Sequence, residues 1–190
     1  MNLESFCNKL EEELLCTECP QEKVGIVEAL LNKFCCGGID CSKEWDCTEG
    51  RYARHLVYNG RESGCCIVAM SWGPGQGTPI HDHDGTWCVE CCLEGNLEVV
   101  QYELEETKED AEGLVYVFDP KETQVVGKGA VGCLIPPFEH HIIRNPYDKR
   151  AVTLHVYGKE LTKSSCFYPT EGDKHYRRHE KCLGYSELAH

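Results

Sequence analysis

The sequence predicts a mainly β fold, an antiparallel β-barrel of jelly-roll type carrying N-terminal α-helices. Three observations lead there. From residue 51 onward, short runs rich in β-branched, aromatic and cysteine side chains alternate with Gly, Pro, Asn and Asp turns. No helical period separates those runs, which argues against the alternating order of a parallel α/β sheet. Helical patterning is confined to the part of the chain before residue 48.

Residues 2–17 set Leu3, Phe6, Cys7, Leu10, Leu14 and Leu15 on one helical face among Glu-rich positions, and Pro20 is expected to end that segment. A second helix over 23–34 buries Val24, Val27, Ala29, Leu30, Leu31 and Phe34 and stops at Gly37-Gly38. Cys16-x-x-Cys19 falls between the helices. With no strand-helix context after it and no second pair at metal spacing, it reads as structural. A short helix is expected around 42–47. Strands follow at 51–58 and 65–72, joined through Asn59-Gly60, a strong hairpin signal. Further strands are expected at 97–103, 114–118, 123–126, 131–135, 141–144 and 151–157. Residues 105–113 read as an acidic, solvated loop. From Ser164 the periodicity is weak, and the chain is expected to wrap the barrel with His175, His179 and His190 at the surface. A single domain over 1–190 is expected: helical to about 47, barrel from about 48 to 160, wrapping segment over 161–190.

A formal net charge of -13 and a pI near 5.1 leave no basic surface for nucleic acid or an anionic membrane, so a small-molecule substrate and a monomer are expected. No run approaches the ~20 apolar residues of a membrane span. The opening Met-Asn-Leu-Glu-Ser-Phe-Cys lacks the basic and apolar regions of a secretory leader. Fifteen cysteines, odd in number and including the adjacent pairs Cys35-Cys36, Cys65-Cys66 and Cys91-Cys92, suit reduced thiols better than a disulfide framework. A cytoplasmic protein that uses most of them as small buried hydrophobes is expected.

The stretch 75–95 carries the chemistry. On a strand, His81 and His83 point the same way and can offer two imidazole nitrogens to one ion. Gly75 and Gly77 permit a tight turn before them, and Asp84-Gly85 a bend after. An exposed polar turn would also carry a His-x-His, and one such pair cannot hold a catalytic metal firmly. His140 and His141 are the candidates for a third ligand. Tyr52 and Arg54 share a strand face; the Arg54 fork suits a carboxylate, though most arginines lie at the surface. In 151–157, Val152, Leu154 and Val156 form an apolar face, while Thr153, His155 and Tyr157 form a face that either meets water or lines a polar pocket.

Gly75, five residues, His81-x-His83, then Cys88, six residues and Gly95 resembles the first motif of the cupin family. Cys88 stands where that motif usually carries a glutamate ligand, and this replacement is similar to the thiol dioxygenases, cysteine dioxygenases in particular. Residues 136–145 resemble the second motif, with Pro136 five places before His141 and Asn145 four after it. His140 misses both spacings; Phe138 replaces the usual glycine, and Gly129 sits one place early. The resemblance covers roughly residues 45–170.

It implies Fe(2+) held by His81, His83 and His141. Three uncharged imidazoles without a carboxylate would leave the full charge on the ion for capture of a thiolate. Tyr52-Ala53-Arg54 matches the Tyr-x-Arg that holds the amino acid's carboxylate, and Arg54, where mercaptopropionate dioxygenases tend to use glutamine, points to L-cysteine. Tyr157 would stand near iron and substrate with His155 hydrogen-bonded to it. Cys88 and Tyr157 are the pair that forms a Cys-Tyr thioether cofactor in animal-type enzymes; Gly158-Lys159 departs from their Ser-Pro. The implied reaction joins both atoms of O2 to the sulfur of L-cysteine, giving cysteine sulfinic acid. The alternatives are a dioxygenase for 3-mercaptopropionate, cysteamine or a peptide N-terminal cysteine, and a non-catalytic cupin that binds a metal or small ligand.

Overall fold

Helix α1 spans Leu3–Leu14 and α2 spans Pro20–Cys35 in a computed structural model that describes residues 1–35 and 45–186. The Asn2 side chain caps α1 by accepting the Ser5 amide at 2.8 Å. Phe6, Cys7, Leu10 and Leu14 are buried, whereas Leu15 lies past the last turn and is exposed. Pro20 opens α2 at its first position, where a missing N–H is tolerated, so it starts one helix rather than only ending another. Ala29 faces outward; the other expected α2 residues are buried. Cys16 and Cys19 are both exposed in the connecting turn. The Gly37-Gly38 stop and the start of the 42–47 helix lie outside the described residues, and 45–47 are not helical.

Twelve strands follow: β1 Ala53–Asn59, β2 Cys66–Trp72, β3 Ile80–His81, β4 Cys88–Glu94, β5 Asn96–Asp110, β6 Gly113–Pro120, β7 Gln124–Gly127, β8 Val131–Leu134, β9 His141–Arg144, β10 Ala151–Tyr157, β11 Lys163–Pro169 and β12 His175–Cys182. They form a five-stranded sheet ordered β1-β2-β10-β4-β8 and a seven-stranded sheet ordered β6-β12-β11-β3-β9-β5-β7, with β5 also pairing β6. Together they make a cupin barrel.

The helices cover the outside of the five-stranded sheet. Phe6, Leu10, Leu31 and Phe34 pack on Ile67, Val89, Leu93, Val152, Leu154 and Val156. The Phe6 and Phe34 rings stack at 4.6 Å. Each such side chain contributes about 1.5–3 kcal/mol by leaving water. The opposite face of the sheet lines the barrel, where Cys66, Val68, Met70, Trp72, Cys88, Leu134 and Tyr157 meet Leu97 and Ile143 of the other sheet. All seven residues of β10 are therefore buried, apolar side under the helices and polar side within the barrel. A disulfide between Cys35 and Cys91 ties α2 to β4, one pairing among cysteines expected to be mostly thiols. No helix among the described residues is long and apolar enough to cross a membrane.

Two expectations need correction. Residues 105–110 continue β5 and pair with β6 instead of forming a loop. Their side chains are exposed, so no apolar alternation marks the ribbon; Arg177 on β12 holds it through Asp110 at 2.7 Å and Glu112 at 3.3 Å. Nor does the chain beyond 160 merely wrap the barrel. β11 and β12 form a hairpin within the seven-stranded sheet, with Cys166 and Phe167 paired to His81 and Ile80. The strand architecture thus continues to Cys182. β12 has no buried residue, which is why its sequence has no strand pattern.

Candidate metal centre

β3 is only two residues long, and its partner fixes the site. His81 lies directly opposite His141 of β9. Cβ atoms of such a cross-strand pair sit about 4.5–5.5 Å apart, so pairing alone brings two imidazoles together. Upstream, a Cβ on Gly77 would meet the Ile143 carbonyl at 2.8 Å, so only glycine lets the chain run this close to β9. His83 follows two residues on, and positive φ at Asp84 (51°) and Gly85 (73°) turns the chain away. The His81–His141, His83–His141 and His81–His83 ring centroids are 4.6, 5.1 and 5.3 Å apart, and one nitrogen from each ring lies within 4.8 Å of the others. His140 points the other way, onto Phe118 and Phe167 at 4.9 and 5.4 Å. Strand alternation thus separates the two adjacent histidines.

Burial pushes His81 down to about 3, with His83 adding to the effect, and holds His141 well below the usual imidazole range. Neutral imidazole is the form that binds a metal. His81 Nδ1 lies 3.2 Å from the Pro79 carbonyl, and His83 Nδ1 lies 3.3 Å from Glu139 Oε2, which also accepts the His83 amide at 2.8 Å. His141 differs: both its ring nitrogens are buried without a hydrogen-bond partner among the described residues. An orphan of that kind costs about 1–3 kcal/mol, which a divalent transition metal would relieve. The three residues fit such an ion.

His81 and His83 wall a narrow cavity together with Tyr157, Arg54 and Tyr52. Leu161, Lys181 and Leu183, which the sequence reading did not single out, also line it. Arg54 is buried; Nη1 donates to the Gly184 carbonyl at 3.2 Å and Nη2 to that of Leu161 at 3.3 Å. Its guanidinium lies 5.3 Å from the Tyr185 ring centroid. Of its five N–H donors, three remain beyond these two bonds among the described residues. Tyr52 stacks on Trp72 at 4.7 Å.

Within the barrel, the Trp72 indole donates to Thr153 Oγ1 at 2.9 Å, and Thr153 Oγ1 lies 2.7 Å from His155 Nε2. The hydroxyl can accept a second bond from Nε2–H or donate its own proton to Nε2; the second arrangement puts the proton of the neutral His155 ring on Nδ1, 3.4 Å from Glu90 Oε2. His155 was expected to bond Tyr157. Instead their rings lie nearly parallel, 6.0 Å apart, and His155 faces Thr153 and Cys88, whose Sγ is 3.9 Å from Nδ1. The period of two put Thr153, His155 and Tyr157 on one face but could not specify the rotamers. Tyr157 lies directly opposite Cys88 across β10 and β4. Burial raises the Cys88 thiol well above its usual range, as it does the Tyr157 phenol, so both keep their protons at neutral pH.

Two carboxyls lie just outside the triad. Besides Glu139, Glu90 faces inward from β4, with Oε2 3.4 Å from His155 Nδ1 and Oε1 4.0 Å from His141 Nδ1. Burial pushes Glu90 up to about 8. The triad itself has no carboxylate, but its surroundings do. Only the alternation Cys88, Glu90, Cys92 along β4 could have pointed to Glu90.

A family profile described as cysteine dioxygenase type I matches residues 24–168, from α2 to β11. The chain belongs to the cysteine dioxygenase type I family. Human cysteine dioxygenase type 1 is 26% identical over 125 residues, 65% of this chain and 59% of the human protein. The Danio rerio protein of the same name is 25% identical over 118 residues, 62% and 56% of the two chains. The match therefore spans less than two thirds of these relatives' length. Among solved structures, a Thermus thermophilus protein aligns with a TM-score of 0.43 and 20% identity, covering 59% of this chain and 87% of its own. Against this family background Gly158 is informative. A Cβ there would meet Trp87 Nε1 at 2.6 Å and Thr86 Oγ1 at 2.7 Å, so the loop after β10 is shaped around the indole. Next to it, Lys159 pairs with Asp84 at 2.8 Å, holding that loop to the turn after His83.

Proposed function

We propose that the protein is a cysteine dioxygenase: Fe(II) bound by His81, His83 and His141, with L-cysteine and O2 converted to cysteine sulfinic acid. The observation that carries this reading is the single cavity walled by His81 and His83 on one side and by Arg54 and Tyr52 on another. When bound, iron would supply the redox chemistry of sulfur oxygenation. The remaining work falls to the chain. The uncommitted N–H groups of Arg54 would grip the substrate carboxylate with the Tyr52 phenol beside them, a charge-assisted contact that fixes the amino acid's orientation. Tyr157, protonated and buried, can donate a hydrogen bond into the cavity. Leu161 and Leu183 keep water out of it. The cross-strand placement of Cys88 and Tyr157 supports a thioether between them.

The test is anaerobic loading of the full chain with Fe(II), followed by cysteine and O2. Sulfinate should form with O2 consumed about one to one. In Arg54→Ala the lost charged hydrogen bonds, about 1.5–3 kcal/mol, should raise KM for cysteine at least about tenfold with iron retained. A panel with 3-mercaptopropionate and cysteamine separates the neighbouring thiol chemistries. Fully iron-loaded protein that yields no sulfinate rejects the reading, and tight metal binding without thiol-dependent O2 uptake would point to a binding cupin.

A further inference from the structure

Among the three histidines, only His141 has both ring nitrogens buried without a hydrogen-bond partner among the described residues. His81 Nδ1 meets the Pro79 carbonyl at 3.2 Å, and His83 Nδ1, unbonded in the same sense, at least has the Glu139 carboxyl 3.3 Å away. Glu90 Oε2, 3.4 Å from His155 Nδ1, is likewise buried and bonded to nothing among the described residues, while Oε1 lies 4.0 Å from His141 Nδ1. The strand register brings these groups together. Glu90 lies directly opposite His155 on one side and Gly132 on the other. A Cβ on Gly132 would sit 3.5 Å from Glu90 Cγ and Oε1, so the Glu90 side chain lies over this glycine. Behind it lies a small, largely apolar cavity that Glu90, His141 and Thr153 share with Leu97, Leu134 and Ile143.

We propose that Glu90 is the positioning residue for His141: ionised once a divalent cation occupies the triad, it receives His141 Nδ1–H on one oxygen and His155 Nδ1–H on the other, which commits His141 Nε2 to the metal. The inference rests on the assignment of the triad as a metal centre and not on the identity of the substrate. From 4.0 Å the Glu90–His141 contact must close by about 1 Å to reach hydrogen-bond length, and the cavity gives the side chain room for that movement. The same carboxylate then joins two networks. Through His155 and Thr153 it reaches Trp72, so the orientation of the third ligand is tied to the polar face of β10. A ligand imidazole whose other nitrogen is bonded to a carboxylate is held in one tautomer and is the stronger base.

The experiment uses the full chain and Co(II) or Zn(II) alone, with neither thiol nor O2, so its outcome is independent of whether the protein oxidises cysteine. Metal affinity is measured by competition with a chelator for wild type, Glu90→Leu and Glu90→Gln. Glu90→Leu, which removes the acceptor and keeps the volume, should weaken binding by about 10–100-fold. Glu90→Gln retains an acceptor oxygen and should stay within a few-fold of wild type. Nitrogen-15 NMR of the zinc-loaded wild type should show His141 protonated at Nδ1, a readout that needs no variant to fold. Equal affinity in wild type and Glu90→Leu overturns the proposal. So does an equal loss in Glu90→Leu and Glu90→Gln, which would mean charge rather than positioning, or a His141 proton on Nε2.

Discussion

Replacing Thr153 by valine, nearly the same shape without the hydroxyl, tests whether the polar interior of the barrel is a connected network. The hydroxyl accepts the Trp72 indole at 2.9 Å and reaches His155 Nε2 at 2.7 Å. Trp72 and His155 are both buried, with 0% and 2% exposure, so neither stranded group can turn to water. Each orphan costs about 1–3 kcal/mol, and the added methyl returns less than about 1 kcal/mol. The expected net loss is about 3 kcal/mol. For a chain of this size each kcal/mol lowers Tm by about 2–4 °C, so the metal-free variant should melt about 6–12 °C lower. Urea unfolding and thermal melts of wild type and Thr153→Val give the number, and Thr153→Ser, which keeps the hydroxyl, serves as the control. The pair Trp72→Phe and Thr153→Val should be less destabilised than the sum of the single changes, because removing the indole N–H leaves one orphan fewer. A Thr153→Val cost below about 0.5 kcal/mol, or strict additivity with Trp72→Phe, would refute the network.

Adding Co(II) at about 100 times Kd should stabilise the protein by about 2.7 kcal/mol, raising Tm by roughly 5–11 °C; a chelator should reverse the shift and His83→Ala abolish it. Glu11 reaches from α1 to the hairpin between β1 and β2, accepting the amides of Glu62 at 2.9 Å and Ser63 at 3.2 Å. Burial works to raise this carboxyl, but the Ser63 hydroxyl and the two amides outweigh it and hold it below the usual range. A lowered carboxyl stabilises the fold above the ordinary carboxylate pKa and loses that contribution as the pH falls through its folded value. Glu11→Gln should therefore cost something at pH 7, under about 1 kcal/mol given its exposure to solvent, and nothing in urea titrations at strongly acid pH. Gly158→Ser forces a side chain into Trp87 and should cost about 1–3 kcal/mol by denaturation; an unchanged midpoint would mean the indole has another place to go.

Much of the architecture was legible because burial leaves a period in the sequence. The α1 face, β9 and β10 were readable from apolar spacing alone, and β9 and β10 fall at the expected residues. The β5–β6 ribbon and the β11–β12 hairpin were not, since an exposed ribbon satisfies its backbone through the ladder without burying one side. The same limit applied within the site. Spacing along one strand put His81 with His83, and His155 with Tyr157, but it could not say what each would face.

What the site adds to the sequence is cross-strand register. His81 opposite His141, Tyr157 opposite Cys88 and Glu90 opposite His155 are three pairings between residues far apart in the chain, and each follows from where two strands align. A slip of one residue would send His141 to the outside, where His140 now packs on Phe118, and would turn Glu90 and Cys88 toward the helices. The register is in turn enforced by residues with no chemical role. On the triad side Gly77 fits only against the Ile143 carbonyl. On the β10 side, a Cβ on Gly95, at the end of β4, would lie 2.5 Å from the Arg150 carbonyl just ahead of β10. Glycine at these two seams therefore does more to assemble the centre than either histidine motif does by itself.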